Sequence, residues 1–277
     1  MTRLPHAAGR HPKAEMNSPP LAITYIGGPT ALVDFGGVRL LTDPTFDPAG
    51  GAYPSGAAVL RKLAGPALSA EALGHVDYVL LSHDHHFDNL DRAGREVLVK
   101  AKKVLTTSEG AVRLGGNSMG LQTWESVAIA APQGRVLRVV GTPARHGPAG
   151  LSRGAVSGFV FYFVDAPERA VYFSGDTVWY EGVGEVAQKF PIRAALLNLG
   201  AARVPEVGPF HLTMTADEAV ESARAFANAL IVPLHYEGWA HFSEGAEDIA
   251  RAFAAAGMTH RLRWLDAGKP VSIELQA

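Results

Sequence analysis

The segment Ser82-His83-Asp84-His85-His86-Phe87-Asp88-Asn89-Leu90-Asp91 packs three histidines and three aspartates into one short stretch. It follows Val76–Leu81 (VDYVLL), a continuous apolar run that reads as a strand buried on both faces. Two histidines at i and i+2, His83 and His85, can leave a strand pointing to the same side. A carboxylate shortly afterwards, Asp88, can reach the same point through the turn. Neutral imidazole and carboxylate are the donors that suit zinc and related divalent ions.

Working outward, the same pattern recurs at other strand ends. Strands are expected at Arg135–Val140, Gly158–Val164, Ala170–Phe173, Ala194–Leu199 and Ala229–Leu234. His146 follows the first in Pro143-Ala144-Arg145-His146, and His235 follows the last in Pro233-Leu234-His235-Tyr236. Asp176 leaves Ala170–Phe173 in Tyr172-Phe173-Ser174-Gly175-Asp176-Thr177. Singly, such an aspartate is often a helix N-cap, and such a histidine a packed structural one. Four strand ends delivering His or Asp is harder to explain by structure alone, because strand ends are where open α/β sheets place their chemistry.

On the N-terminal side, Ala22–Ile26, Thr30–Phe35 and Val38–Leu41 read as an antiparallel meander broken at Gly27-Gly28-Pro29 and Gly36-Gly37. Asp43-Pro44 opens a loop rich in glycine and proline through about Ala58. A strand is expected at Lys103–Thr106, with helices at Asp91–Ala101, Val183–Lys189, Thr215–Ala227 and Glu247–Ala256. Thr215 and Glu218 have capping-box spacing. Buried strands alternating with helices, plus hairpins, imply an α/β sandwich with helices outside two sheets. The expected organisation is a flexible N-terminal extension over 1–20 and one domain over 21–277.

Composition narrows the chemistry further. The 277 residues are 47% hydrophobic and 19% charged, which is globular rather than disordered. A net charge of −2 gives no basic excess, so no nucleic-acid partner is expected. The absence of cysteine excludes disulfides, thiolate-held zinc, iron–sulfur clusters and thiol nucleophiles. No signal-like or membrane-length apolar run occurs, and a soluble cytoplasmic protein without a transmembrane segment is expected. Pairing into a homo-oligomer stays open.

Together the motifs resemble the metallo-β-lactamase-fold superfamily of metal-dependent hydrolases. Within it, the chain looks most like the branch of ascorbate-phosphate lactonase and N-acyl-phosphatidylethanolamine phospholipase D. The resemblance rests on Ile23-Thr24-Tyr25-Ile26-Gly27-Gly28, Leu41-Thr42-Asp43-Pro44, the histidine-rich loop, Ser174-Gly175-Asp176-Thr177, Thr213-Met214 and Pro233-Leu234-His235-Tyr236. It implies a four-layer αββα sandwich with two metals between the sheets. His83, His85 and His146 would hold the first metal, Asp88 and His235 the second, and Asp176 would bridge them. The family pattern His-x-His-x-Asp-His is broken here. With one inserted residue, Asp88 matches its Asp and Asn89 stands at a ligand histidine; without it, Phe87 takes the Asp position and Asp88 the histidine position. The second site therefore lacks an imidazole unless His86 swings in.

The resemblance implies Zn2+, with Mn2+ or Fe2+ as alternatives, and a small-molecule substrate: an ester, lactone or phosphodiester, with an anionic one among the options. A divalent ion brings the pKa of bound water down to about 7. Asp88 or Asp176 would orient the resulting hydroxide and His211 would protonate a leaving group or bind phosphate, while Tyr236, Trp239 and His241 would form a pocket wall beside His211. Asp43, Asp84 and Asp91 would orient ligand imidazoles, and Arg145 and Arg203 could meet an anion. Two other classes compete: an iron-dependent oxygenase or sulfur-oxidising enzyme on the same fold, and a non-catalytic metal-binding sensor.

Overall fold

The computed structural model describes residues 20–56, 58–151 and 153–275; most of the expected N-terminal extension lies outside them. Three antiparallel strands come first, β1 (Leu21–Gly27), β2 (Thr30–Phe35) and β3 (Val38–Thr42). Next comes a two-stranded hairpin of β4 (Ala52–Ser55) and β5 (Ala58–Arg61). β6 (Tyr78–Leu80), α1 (Arg92–Leu98), β7 (Lys103–Thr106), α2 (Ser108–Leu114) and β8 (Ser118–Gly120) follow. Then come β9 (Ser126–Ala130), β10 (Val136–Pro143), β11 (Ser157–Phe163) and β12 (Ala170–Phe173). The chain continues through α3 (Glu181–Lys189), β13 (Ile192–Asn198), α4 (Ala216–Ala225), β14 (Leu230–Leu234), α5 (Ala246–Ala255) and β15 (Pro270–Ile273).

Two sheets result, ordered β15-β1-β2-β3-β6-β7-β8 and β14-β13-β12-β11-β10-β9. The apolar clusters define the layers. One cluster joins Ile23, Val33 and Leu40 of the first sheet to Leu137, Phe159, Phe161 and Leu196 of the second, so it fills the space between the sheets. A second packs the outer face of β12–β14 (Tyr172, Ala195, Ile231) against α3, α4 and α5 through Val183, Ala219 and Phe253. The third packs Leu41, Val79 and Val104 against Val97 and Leu98 of α1. The order is therefore helix, sheet, sheet, helix, the expected αββα sandwich. Phe159, Phe161 and Phe163 alternate inward with Phe35 against the last two, at 6.0 and 4.9 Å between ring centres.

Parallel pairings set the active edge. β3, β6, β7 and β8 run parallel, as do β12, β13 and β14, so the loops leaving their C-terminal ends gather at shared edges. Around the site, the structure departs from the sequence reading in these details, and α2, β8, β9 and β15 are further elements it did not include. The strand before the histidine loop spans only Tyr78–Leu80, and β10 continues past Val140 to Pro143. The glycine- and proline-rich loop contains the β4–β5 hairpin, tied down by the buried pair between Lys62 Nζ and Asp91 Oδ2 at 2.7 Å. The capping box is formed as read: Thr215 Oγ1 accepts from the Glu218 amide, and Glu218 accepts from the Thr215 amide.

Candidate metal centre

After β6 the backbone leaves the extended conformation and coils, with the Leu90 amide donating to the His86 carbonyl at 3.0 Å. His83 and His86 precede that turn and meet His146, which β10 delivers from the other sheet, with donor atoms of the three within 4.8 Å of one another. His83 Nε2 and His146 Nε2 lie 2.9 and 3.2 Å from His86 Nδ1. Glycine at 175 permits the approach: a Cβ there would lie 2.6 Å from Ser82 Cβ and 2.8 Å from the Ser157 carbonyl, and its φ is +57°.

Hydrogen bonds behind the rings fix their tautomers. His146 Nδ1 donates to the Leu212 carbonyl at 2.9 Å, which leaves Nε2 as a lone pair. Ser82 Oγ donates to Asp43 Oδ2 at 2.7 Å and so accepts from His83 Nδ1 at 2.8 Å, leaving His83 Nε2 bare. Such outer partners are what metal-ligating imidazoles use. Burial, with the charges of neighbouring histidines, holds His83 well below its usual range and pushes His86 down to about 2. Burial also lowers His146. The triad is neutral at pH 7, the state a metal requires.

Beside it lies a second cluster. Asp176, 1% exposed, accepts at Oδ1 from Asn198 Nδ2 at 2.8 Å and from His235 Nδ1 at 3.0 Å. Asp176 Oδ2 is 3.8 Å from His146 Nε2. His235 follows β14 with φ +54°, a strained conformation held by its amide bond to the Gly28 carbonyl. Asp88 Oδ2 faces His241 Nε2 at 3.0 Å and His235 Nε2 at 3.6 Å. Burial alone would raise both carboxyls. His235 and then His146 nevertheless hold Asp176 well below the usual range, and the His241 hydrogen bond lowers Asp88. His235 is raised, because Asp176 outweighs its burial.

These residues fit a cation on their own evidence. Among the described residues, Asp88 Oδ1, Asp176 Oδ2, His235 Nε2 and His241 Nδ1 are buried without a hydrogen-bond partner. Buried polar atoms in folded proteins are almost always satisfied. Asp176 Oδ2 stands 3.8 Å from the bare His146 Nε2, so a cation held by the three imidazoles would also satisfy that oxygen, and its donors would be nitrogen and oxygen only.

Several expected residues fall elsewhere. His85 does not join the triad. Its ring packs 4.7 Å from His83 and 4.5 Å from His86, but its Nε2 donates to the Arg153 carbonyl at 2.6 Å, so the nitrogens that converge are those of His83, His86 and His146. His211 pairs with Glu218 at 3.0 Å, at the start of α4, and does not line the cleft over the triad. Tyr236 packs on Trp264, with ring centres 5.7 Å apart. Trp239 is buried against Tyr53 and lines a separate cavity of about 210 Å3 beside Gly28 and Lys62. Asp43 stands behind His83 as read, but Asp84 pairs with Arg113, while Asp91 caps α1 and holds Lys62. Arg145 lies over the Tyr180 ring and near Glu181, and Arg203 is exposed.

Arg153 is the basic residue that sequence reasoning missed. It lines the cleft with His86, Asp88, His146, His241 and Ser55, and its Nε is buried without a partner. The cleft holds about 10 Å3, roughly one water molecule. Ser55 and Leu60 of the hairpin form part of its wall.

A family model for the Beta-lactamase superfamily domain matches residues 38–236. An uncharacterized protein of Mycobacterium tuberculosis is 30% identical over 264 residues, covering 87% of this chain, and the chain spans 65% of that relative's length. A UPF0173 metal-dependent hydrolase of Pyrobaculum aerophilum is 25% identical over 82% of this chain and 89% of its own. A possible metal-dependent hydrolase from Veillonella parvula superposes with a TM-score of 0.78 at 19% identity, covering 91% of this chain and 99% of that one. An isothiocyanate hydrolase from Delia radicum gut bacteria gives 0.75 at 21%, covering 92% and 100%. These two likenesses establish the metallo-β-lactamase fold. By the family match over most of its length, the chain belongs to the beta-lactamase superfamily.

Proposed function

We propose that the protein is a metal-dependent hydrolase of a small anionic ester, lactone or phosphodiester, with Zn2+ as its expected metal. The observation that carries this reading is the convergence of His83 Nε2, His86 Nδ1 and His146 Nε2 beside the unpartnered Asp176 Oδ2. A divalent ion held there supplies Lewis acidity and a water whose pKa is brought to about 7. The name of the Pyrobaculum relative supports the hydrolase assignment.

The chain's own residues supply the rest. Ser82 with Asp43, and the Leu212 carbonyl, keep the ligand nitrogens bare and aimed. Asp88 lines the cleft with an unpartnered Oδ1, placed to orient a water and later carry a proton to the leaving group. Arg153 brings an unpaired guanidinium Nε to the cleft wall, where a phosphate or carboxylate of the substrate would satisfy it. Leu60, Val204 and Leu212 give the cleft an apolar wall, which strengthens each charge interaction beside it.

The test is hydrolysis by the metal-loaded protein of an aryl ester, a lactone, bis-nitrophenyl phosphate and an isothiocyanate. The expected result is turnover of at least one anionic substrate, lost on chelation and restored by Zn2+. Turnover unaffected by chelation, or none on any substrate with metal bound, would overturn the reading. Iron as the resident metal would favour the oxygenase class, since nitrogen and oxygen donors suit it equally.

A further inference from the structure

The cavity of about 210 Å3 beside Trp239 shares no lining residue with the cleft over the triad, which holds about 10 Å3. Two antiparallel segments separate them, with Lys62 opposite Trp239. Leu60 and His241 face the cleft, whereas Lys62 and Trp239 line the cavity. Much of the remaining wall is small or apolar, with Ile26, Gly65, Pro66 and Ala67 among its residues.

Hydrogen-bond donors short of acceptors gather here. Lys62, 4% exposed, gives one of its three ammonium protons to Asp91 Oδ2 at 2.7 Å. Asp91 does not absorb the whole of that charge, because the amides of Phe46, Asp47 and Gly94 also donate to its oxygens, at 2.9, 2.7 and 2.8 Å. Tyr25 lines the cavity with a buried hydroxyl that has no hydrogen-bond partner. Burial, and then the charge of Glu237, holds that hydroxyl well above its usual range, so it stays a donor. Trp239 turns its Nε1 edge to Gly28, where a Cβ would lie 3.4 Å from the nitrogen. Buried donors and charges are costly unless an acceptor meets them.

We propose that this cavity is a binding site for a small monocarboxylic acid, separate from the metal centre and independent of the hydrolase reading. Lys62 anchors the carboxylate, Tyr25 and the Trp239 indole supply further donors, and Ile26, Pro66 and Ala67 take the apolar body. The exposed Glu237 on the same wall disfavours a second negative charge, which selects a monoacid over a diacid or a phosphate. The volume lies below the roughly 300–1,000 Å3 of drug-sized sites, so the acid is small.

The experiment titrates benzoate, butyrate and their amides into chelator-stripped full-length protein by calorimetry, so that no metal competes for the acid. Wild type is expected to bind one equivalent of at least one acid, with its amide weaker by roughly tenfold. Lys62→Met should weaken the acid by roughly tenfold to a hundredfold. Ala67→Phe fills the cavity from an exposed position, leaves Lys62 paired and should abolish binding. Arg153→Ala, in the cleft, should leave binding unchanged. The Trp239 indole N–H resonance, assigned by its loss in Trp239→Phe, should shift as the acid binds. Should Lys62→Met not fold, the affinity of Ala67→Phe decides. Full affinity in Ala67→Phe or in folded Lys62→Met, equal binding of acid and amide, loss in Arg153→Ala, or no binding in wild type would each overturn the inference. The hydrolase reading stands or falls separately, on turnover that chelation abolishes.

Discussion

In the cluster of His83, His86 and His146, ring meets ring: donor nitrogens lie 2.9 and 3.2 Å apart, and Asp176 Oδ2 stands 3.8 Å from His146. In the neighbouring cluster each imidazole meets a carboxylate, His241 and His235 against Asp88 at 3.0 and 3.6 Å and His235 against Asp176 at 3.0 Å. Burial acts on both, with opposite outcomes. The first cluster stays neutral because desolvation and like charge drive its histidines down. The second holds charge because its carboxylates outweigh desolvation and raise His235. Buried imidazoles alone make a site that is ready for a cation, whereas buried imidazoles among carboxylates form ion pairs that a cation must displace.

The sharpest way to break this comparison is to remove one ring from the first cluster. His86→Ala should lower kcat/KM by about a hundredfold or more and reduce bound metal, while His85→Ala keeps its metal. Equal losses in both variants would mean that the triad is not the one described. Next in size is Arg153→Ala. Losing a charge-assisted hydrogen bond worth about 1.5–3 kcal/mol should raise KM for an anionic substrate roughly tenfold to a hundredfold and leave a neutral ester nearly unchanged. A uniform effect on both substrates would remove Arg153 from anion recognition.

Smaller effects sharpen the role of the outer hydrogen bonds. Ser82→Ala frees His83 Nδ1 and should weaken metal binding by about tenfold. Asp43 carries the pH signature. Burial pushes its carboxyl from an ordinary 3.8 up to about 7. A carboxyl raised in the fold keeps its proton there longer than in the unfolded chain, so its contribution is full at low pH and lost as pH rises toward about 7. Chelator-stripped wild type should therefore lose Tm relative to Asp43→Asn on going from about pH 5 to about pH 7.5. Parallel Tm curves would contradict the burial argument.

Much of this was legible in sequence because it rests on periodicity. The buried strands, the αββα layering and the capping box at Thr215 and Glu218 follow from runs of apolar residues and from side-chain chemistry that act locally. Delivery of His146, Asp176 and His235 by strand ends was legible for the same reason. The choice between His85 and His86 was not, because it depends on where β6 stops: the strand ends at Leu80, before any of these histidines, so strand alternation does not govern which way they point. Arg153 escaped because its loop reaches the site through tertiary packing that no local spacing encodes, whereas His241, read as a pocket wall, does line the cleft. The strands β4, β5, β8, β9 and β15 were missed because each is partly exposed or short.

The most direct measurement is a crystal of the full chain soaked in Zn2+, with anomalous difference maps recorded at the zinc edge. A peak bounded by His83, His86 and His146, beside Asp176, is predicted. A peak coordinated by His85 in place of His86, or none at the three imidazoles, would contradict the account.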